Sequence, residues 1–546
     1  MEAAETMDTI RNTIEVYDTT LRDGAQTEGV QYTVRDKLHL LEVFDDFGID
    51  IVEGGWVGAN VTDHEFFARA RRLPLKRTRL AAFCACYRPK LDLHQDELFL
   101  KSAEVDVPVA TIFGKAWDFH VIYGLDVPLQ KNIEIIERSI RYLKERFDLV
   151  VFDAEHFFDG FRHNPSYAIT VLEAAYQAGA DRLVLCDTNG GAVLSQINTA
   201  VNMVRLRLPQ AKLGIHCHND GDMAVANTLC AVEQGVSHVQ GTINGIGERC
   251  GNANLCSLLP NLLLKHGYAT RHITAASLSG LAQLSATVAA VTRTPVQANQ
   301  PYVGTSAFAH KAGIHISAVI KNPSCYEHIR PEVVGNQRKL VVSEQAGRAA
   351  LRQKLQRMGY NDLPEQHLDH LLRLIKEKSS HGYLFDRAEA SLELLLRDVL
   401  SPKAVELTVN GLEVCRVDNG AGEHVTVELD FTVMGKRLRN SARAEEVPSA
   451  VRNALVPILN GVFGRREWPE LVEVSCAERG TAGDDSHAVV LAKIRDADGT
   501  HTTVGVGPDQ HHALAAAIVD AYRHHLLRAG EATQAAAPLY DGLAFA

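Results

Sequence analysis

The sequence has 546 residues, 46% of them hydrophobic and 23% charged, with a formal net charge of −11 at pH 7. This length allows two to four domains with large cores. The negative charge argues against nucleic acid as the main partner, and no apolar run of about 18 residues is available to cross a membrane. The ten cysteines are scattered through apolar runs, and Met1–Arg11 lacks the apolar core of a signal peptide, which favours a cytoplasmic protein with reduced thiols.

From residue 14 to about residue 267, one pattern recurs eight times: a short β-type run followed by an amphipathic helical stretch. The spacing of roughly thirty residues fits a strand–loop–helix unit, and eight such units in succession predict an α/β fold, the (β/α)8 TIM barrel. The predicted strands are Ile14–Thr19, Ile49–Gly54, Arg79–Phe83, Pro108–Phe113, Leu149–Ala154, Arg182–Cys186, Lys212–His216 and His238–Ile243.

The chain beyond the barrel divides into further predicted parts. The barrel itself is predicted to occupy residues 1–270, and residues 271–400 are predicted to form helical subdomains that link it to the rest. Residues 401–530 carry strand and helix signals in the order βββα twice, which predicts an α+β C-terminal domain of two repeats that favours self-association. The tail, residues 531–546, is rich in small residues and is predicted to be flexible.

Polar side chains cluster where the predicted strands end. Asp23 follows the first strand, while His216 and His218 come at the end of the seventh. Residues two apart on a strand point to the same face, so an Asp and two His predict a divalent-metal triad at one mouth of the barrel. The donor set suits Zn, Mn or Co better than Mg. Arg22 is a ready partner for a carboxylate or a polarised carbonyl, although any one of these residues could instead form a cap or a salt bridge.

Four motifs of the predicted barrel resemble those of the α-isopropylmalate, homocitrate and citramalate synthases, the metal-dependent Claisen-condensing TIM barrels. They are Asp18–Gly24, Asp187–Gly190, His216–Asp220 and Gly245–Asn252. The Gly313-Ile314-His315 segment and the repeated C-terminal domain match as well, so the resemblance covers nearly the whole chain. Within the family the chain most resembles the long bacterial citramalate-forming branch, in Val52–Trp56, Ile112–Lys115, Asp153–Gly160, Gln240–Gly245 and Gln300–Gly304.

The resemblance implies a reaction and a metal centre. Acetyl-CoA condenses with an α-keto acid and the thioester is then hydrolysed; in the citramalate-forming branch the keto acid is pyruvate, and the pathway is threonine-independent isoleucine biosynthesis. A divalent ion would be held by Asp23, His216 and His218. Asn252 is implied as a fourth ligand or as a group behind the ligands.

The resemblance also implies roles for the other polar residues of the mouth. Arg22 would add positive charge beside the substrate oxygen, with Thr188 and Asp187 among the substrate-binding residues. Glu155 corresponds to the barrel glutamate of the proposed acid–base pair.

Two residues from beyond the barrel complete the implied catalytic set. His315 corresponds to the histidine of the acid–base pair and would come from the partner subunit of a homodimer, and Tyr326 resembles the tyrosine of the hydrolysis stage. The C-terminal domain resembles leucine- or isoleucine-sensing domains. This implies isoleucine as an allosteric effector, the alternative being a dimerisation module without a ligand.

Other interpretations remain open. Ala25–Glu28 and Phe83–Tyr87 depart from the family pattern near strand ends that could sense the keto acid, so a 2-isopropylmalate, homocitrate or related synthase is the nearest alternative. A lyase running the cleavage reaction on the same barrel is a second, against which the C-terminal repeat argues. A third is a barrel that has lost catalysis and binds an amino acid.

Overall fold

The computed structural model describes residues 13–343, 345–361, 363–400, 407–418, 423–464, 467–479, 487–497 and 499–534. Two compact units are present: one holds the described residues up to Phe308 together with His328–Arg338, and the other holds Ala309–Glu327 and the described residues from Lys339 onward. Three parts of the sequence interpretation lie outside the described residues: the segment Met1–Arg11, the domain boundary at residue 401 and the tail beyond residue 534. The predicted tail residues 531–534 continue the last helix.

The first unit contains a closed barrel of eight parallel strands. Their order is β2-β3-β4-β5-β6-β7-β8-β1, and β1 pairs with both β2 and β8, which closes the sheet. The strands are β1 Thr13–Asp18, β2 Ile51–Gly55, β3 Arg79–Ala85, β4 Val109–Lys115, β5 Leu149–Glu155, β6 Arg182–Asp187, β7 Leu213–Cys217 and β8 His238–Gly241. The predicted barrel is confirmed, with each strand within two residues of its predicted bounds.

Burial on both faces explains why these strands read as continuous β-branched and apolar runs. Inside the barrel, an apolar layer includes Tyr17, Ile51, Val109 and Val151, while the outward faces pack against the surrounding helices. A two-residue strand, β9 Ala269–Thr270, pairs with the start of β1. Because all eight strands run in parallel, the polar residues at their carboxyl ends meet at one mouth.

The connecting helices of the first unit are numbered in chain order. The first begins at a capping box formed by Thr33 and Asp36 and ends at Gly48, whose φ of 103° is left-handed. Helices α1 to α12 are Val34–Phe47, Val61–Ala70, Glu97–Ala103, Asp118–His120, Leu129–Lys144, Phe157–His163, Pro165–Gln177, Leu194–Arg207, Ala224–Glu233, Leu255–Pro260, Ala275–Leu278 and Leu281–Thr292.

The second unit begins with helical structure. Two-residue strands β10 Ala309–His310 and β11 Lys339–Leu340 pair in parallel. Helices α13 to α16 are Gly313–Lys321, Arg348–Arg357, Glu365–Ser380 and Glu389–Leu400. The last three carry apolar stripes that bury one another, so this part of the unit has its own core.

The rest of the second unit contains two βββα repeats. The first has β12 Leu407–Asp418, β13 Glu423–Val433, β14 Lys436–Ala444 and α17 Val447–Phe463, and the second has β15 Glu470–Arg479, β16 His487–Asp496, β17 Gly499–Gly507 and α18 Gln510–Gln534. Each sheet is antiparallel with its strands in chain order. Phe431, Leu455, Ile518 and Tyr522 belong to one core shared by the two repeats. The predicted α+β repeat is therefore confirmed. Among the described helices, none has both the length and the hydropathy to span a bilayer.

Candidate active site

Three buried side chains converge at the carboxyl end of the barrel. Asp23 follows β1, and His216 and His218 lie at the end of β7, where alternation along the strand turns both rings to the same side. The Asp23 Oδ2 atom lies 3.8 Å from His216 Nε2 and 3.9 Å from His218 Nε2. One ligand atom from each residue lies within 4.8 Å of the others. We call these residues the Asp23 triad.

The protonation states of the triad suit a metal ion. Burial and the neighbouring His218 lower the pKa of His216 to about 4, and burial also lowers the pKa of His218. Burial alone would raise the pKa of Asp23, but Arg22 and the two histidines hold it well below its usual range. At neutral pH the triad is one carboxylate and two neutral imidazoles, the forms that bind metals.

Asn252 provides a further test of whether the site fits a cation. Its Nδ2 atom donates to Asp23 Oδ1 at 2.9 Å and to the Ile246 carbonyl at 3.1 Å. Its Oδ1 atom is buried and, within the described residues, accepts no hydrogen bond. A buried acceptor without a donor is costly, and a cation at the triad would satisfy it. The donor set and this orphaned oxygen therefore fit a divalent metal ion.

Gly247 allows the close approach of Asn252 and Asp23. A Cβ atom at Gly247 would lie 2.1 Å from Asn252 Nδ2 and 2.9 Å from Asp23 Oδ1. Both distances are shorter than van der Waals contact, and the residue has a φ of 155°, which favours glycine. The glycine is thus a requirement of the triad's geometry.

Arg22 is held rigidly beside the triad. Its Nη1 atom donates to Asp23 Oδ2 at 3.0 Å and its Nε atom donates to Glu53 Oε2 at 2.5 Å. The guanidinium lies over the ring of Phe83, 4.0 Å from its centroid. Glu53 also accepts from the hydroxyl of Tyr17 at 2.7 Å inside the barrel. Because three contacts fix its position, and Tyr17 in turn holds Glu53, Arg22 presents charge to the mouth without needing to reorganise.

A second group of similar residues lies at the mouth. Glu155 ends β5, His156 follows it with a left-handed φ of 58°, and His120 ends α4. One ligand atom from each lies within 4.8 Å of the others, but all three are only partly buried. Lys115, at the end of β4, forms an ion pair with the Glu155 carboxylate. This group, which we call the Glu155 cluster, therefore already contains a cation.

Thr188 and Asp187 end β6 with different environments. The backbone N–H of His156 donates to Thr188 Oγ1 at 2.8 Å, so the hydroxyl proton of Thr188 stays available for an acceptor. The Asp187 carboxylate accepts from the backbone N–H of Ala192 in its own loop, at 3.1 Å to Oδ2. Burial raises the pKa of Asp187 to about 6. Asp187 thus stabilises the loop that carries Thr188.

Comparison with known proteins shows the family to which the chain belongs. The HMGL-like family model matches residues 13–288, and the homocitrate synthase post-HMGL domain-like model matches residues 302–382. The chain belongs to the HMGL-like family. A protein named (R)-citramalate synthase from Synechocystis is 40% identical over 95% of this chain and 97% of its own length. Another of that name from Aquifex aeolicus is 49% identical over 70% of this chain and 72% of its own length.

Among solved structures, an HMG-CoA lyase from Bacillus subtilis aligns with a TM-score of 0.45 and 19% identity, covering 52% of this chain and 95% of that one.

The remaining predicted residues of this HMGL-like chain lie in the second unit. His315 is exposed on α13 and Tyr326 follows a 3-10 turn at Pro323–Cys325. Their rings stack with centroids 4.2 Å apart. Ile314 beside them is 81% exposed, so this end of α13 presents an apolar and aromatic surface. Their roles in the reaction remain predictions.

The structure adds residues that were not assigned to the site from the sequence. In the sequence Glu53 stood out only as part of the Val52–Trp56 motif and Gln240 only as part of Gln240–Gly245, yet they bind Arg22 and His216 directly. Asp153 on β5 accepts from Gln240 inside the barrel. Alternation along the strand could have pointed to Gln240. His238 and Gln240 are two apart on β8, so their polar side chains face the same side of the sheet, the interior of the barrel.

Proposed function

We propose that this chain is an acyltransferase that condenses acetyl-CoA with pyruvate and hydrolyses the thioester to give (R)-citramalate and CoA. The observation that carries the proposal is the buried Asp23 triad with Arg22 fixed beside it. The named relatives support pyruvate as the keto acid. The pathway implied is isoleucine biosynthesis that does not start from threonine.

The metal is proposed to be Zn, Mn or Co, held by Asp23, His216 and His218, with the free Asn252 oxygen as a fourth donor. When bound, such an ion supplies Lewis-acid polarisation of a keto group. Metal analysis of the purified protein identifies the bound ion.

Arg22 is proposed to bind the oxygen on which negative charge develops. Its ion pairs with Asp23 and Glu53 orient the guanidinium before substrate arrives, so little reorganisation is needed. Thr188 has a hydroxyl proton to donate, which suits the carboxylate of a keto acid. Both residues lie at the ends of barrel strands, where substrates of this fold bind.

Glu155 is proposed to act in removal of the methyl proton of acetyl-CoA, with His315 as its partner in acid–base chemistry. Glu155 lies at the mouth, half-buried and paired with Lys115, so it can be reached from solvent while staying oriented. Tyr326, stacked on His315, is proposed for the hydrolysis stage. These assignments for His315 and Tyr326 depend on the family resemblance.

Regulation by isoleucine is proposed for the C-terminal repeats. A cavity of about 330 Å³ there is lined by residues of both repeats. Arg452 and Glu470 offer charges of opposite sign for the carboxylate and ammonium groups of an amino acid, and Leu471, Ile494 and Ile518 offer an apolar wall. Inhibition of turnover by added isoleucine supports this role, whereas its absence favours a dimerisation module without a ligand.

A homodimer in the cytoplasm is proposed as the working state. The outer strand of the second repeat, β15, exposes Val472 and Val474, with 43% and 39% of their surface accessible. An exposed strand edge with apolar residues favours pairing with another copy. The ten cysteines form no disulfide, which suits a reducing compartment. Light scattering after gel filtration measures the oligomeric state.

The function is tested by measuring thiol release from acetyl-CoA with Mn-supplemented protein and a panel of keto acids. Pyruvate, 2-ketobutyrate, 2-ketoisovalerate, 2-oxoglutarate and glyoxylate are compared at equal concentration. Preference for pyruvate supports the proposal. Preference for another keto acid keeps the mechanism and changes the pathway, and release with none of them directs the next assay to the lyase reaction.

A further inference from the structure

A chain of hydrogen bonds runs through the barrel interior to one of the proposed metal ligands. It starts at Glu15 on β1, passes through His238 and Gln240 on β8, and ends at His216 on β7. All four side chains are buried. Buried polar groups need hydrogen-bond partners, so each donor in this series must face an acceptor. The groups on either side of each hydrogen bond therefore determine which atom carries the proton.

The first step concerns His238. Glu15 accepts hydrogen bonds from the guanidinium groups of Arg79 and Arg182, and its Oε2 atom lies 2.9 Å from His238 Nδ1. A carboxylate in this setting is an acceptor only, so His238 Nδ1 carries a proton. Burial lowers the pKa of His238, as do the two nearby arginines. The ring is therefore neutral, and its Nε2 atom has a lone pair.

The second step concerns the amide of Gln240. Its Nε2 atom lies 3.0 Å from Asp153 Oδ1 and 3.4 Å from His238 Nε2. Two acceptors thus face the two N–H groups of the amide. The opposite orientation would place the amide oxygen against the lone pair of His238 Nε2, which is unfavourable. The amide oxygen must therefore point to the other side, toward His216.

The third step concerns the metal ligand itself. Gln240 Oε1 lies 2.8 Å from His216 Nδ1 and can only accept, so His216 carries its proton on Nδ1. The Nε2 atom, 3.8 Å from Asp23 Oδ2, then has a free lone pair. His218 differs, because its Nδ1 atom is buried without a hydrogen-bond partner in the described part of the chain. One histidine of the triad is thus oriented by the barrel and the other is not.

We propose that Gln240 is a positioning residue that fixes His216 in the tautomer able to bind a metal through Nε2, with Asp153 and His238 holding the Gln240 amide in the required orientation. This inference rests on the proposed metal centre. Groups that hold the second nitrogen of a ligating histidine raise metal affinity, and their loss typically costs about 10- to 100-fold.

The proposal is tested by measuring Zn²⁺ affinity directly, through competition with a chromophoric chelator, on the full chain. Gln240→Met replaces the amide by an apolar side chain of similar size and is expected to weaken Zn²⁺ binding by about 10- to 100-fold. Asn227→Leu is the matched control, since Asn227 is an equally buried amide that donates to the Ala192 carbonyl outside the chain of hydrogen bonds. Its Zn²⁺ affinity is expected to equal that of the wild type.

A double variant tests for rescue. In Gln240→Glu/Asp153→Asn the acceptor and the donor are exchanged, so that the new carboxylate can still accept from His216 Nδ1 while the new amide donates to it. His238, now between the carboxylates of Glu15 and residue 240, takes up a proton on Nε2 and donates to the new carboxylate. Zn²⁺ affinity is expected to return to within about threefold of the wild type, because carboxylate–histidine pairs also support metal sites. A merely structural role for Gln240 predicts no rescue.

The outcomes separate this inference from the metal centre. Equal affinity in Gln240→Met and the wild type, or equal loss in Asn227→Leu, or no rescue in the double variant overturns the role of Gln240. If the wild type binds no Zn²⁺, or if Asp23→Ala binds it as tightly as the wild type, the metal centre itself is wrong. Circular dichroism checks that each variant folds. If Gln240→Met does not fold, Gln240→Asn replaces it. The shorter side chain withdraws the amide oxygen from His216 and is expected to lower Zn²⁺ affinity about tenfold.

Discussion

The Asp23 triad and the Glu155 cluster each combine one carboxylate with two imidazoles, but their surroundings differ. The triad is buried, and its carboxylate shares Arg22 with Glu53, so that negative charge is left for a cation. The Glu155 cluster is only partly buried, and its carboxylate is paired with Lys115. The same residue types therefore support different chemistry, and the neighbouring charges decide which group suits a metal ion.

The strongest test of this difference is removal of the triad's carboxylate. Asp23→Ala is expected to lose the bound metal and to lower turnover on the order of 10³-fold, because two imidazoles alone hold the ion weakly and Arg22 loses a partner. Metal content by atomic emission and thiol release are measured on the same sample. Asp220→Ala, which removes a partly exposed carboxylate paired with Arg249, is the control and should keep its metal. Turnover retained after metal loss would contradict the site assignment.

A second test perturbs the triad without touching a ligand. Gly247→Ala places a methyl group against Asn252 and Asp23, and is expected to lower both Zn²⁺ affinity and turnover by about 10- to 100-fold. Gly191→Ala is the matched control, because no heavy atom lies within 4 Å of the Cβ position there. Equal behaviour of the two variants would show that the close contact at Gly247 is not needed.

A third test asks whether Lys115 keeps cations out of the Glu155 cluster. Lys115→Met frees the Glu155 carboxylate next to His120, whose Nδ1 atom is buried without a partner in the described residues. The variant is expected to bind a second, weaker equivalent of Zn²⁺, which isothermal titration calorimetry measures as a change in stoichiometry. Lys131→Met, which removes an exposed lysine from the pair with Glu134, is the control. A single equivalent in both variants would mean that Lys115 does not decide the difference.

The sequence predicted the barrel well because periodicity reports burial. Eight β-branched runs at regular spacing locate the strands within two residues, and the strand ends place Asp23, His216 and Arg22 at one mouth. Alternation alone could not identify Gln240 as the partner of His216, since it does not give the register of β7 against β8, which sets His216 opposite Gln240.

The ion pair between Lys115 and Glu155 could not be predicted from the sequence either. Lys115 and Glu155 are 40 positions apart and meet because β4 and β5 pair with Lys115 opposite Glu155. The sequence likewise could not show that the Asp187 carboxylate accepts from the backbone N–H of Ala192 in its own loop; substrate binding by Asp187 stays a prediction. Such distinctions depend on side-chain contacts that no local pattern encodes.

The smallest expected effect concerns Asp153, which lies deeper in the barrel than Glu155 on the same strand, β5. Asp153 lies two residues before Glu155 on the same face of the strand, but deeper in the barrel, where burial and the negative charge of Glu53 raise the pKa of Asp153 to about 8. In the unfolded chain an aspartate ionises near pH 4, so the folded state binds more protons between these values. The free energy of unfolding contributed by Asp153 therefore falls as the pH rises from about 4 to 8.

Asp153→Asn removes this dependence while keeping an oxygen to accept from Gln240. In metal-free protein, the variant is expected to gain stability relative to the wild type between pH 5 and pH 7.5, by roughly 1–3 kcal/mol. Urea unfolding at the two pH values measures the change, with the exposed Asp106→Asn as the control. An equal effect of Asp153→Asn at both pH values would mean that Asp153 is ionised throughout. The barrel interior below the Asp23 triad would then carry negative charge. In that case the Asp23 triad and the Glu155 cluster would differ in depth rather than in charge.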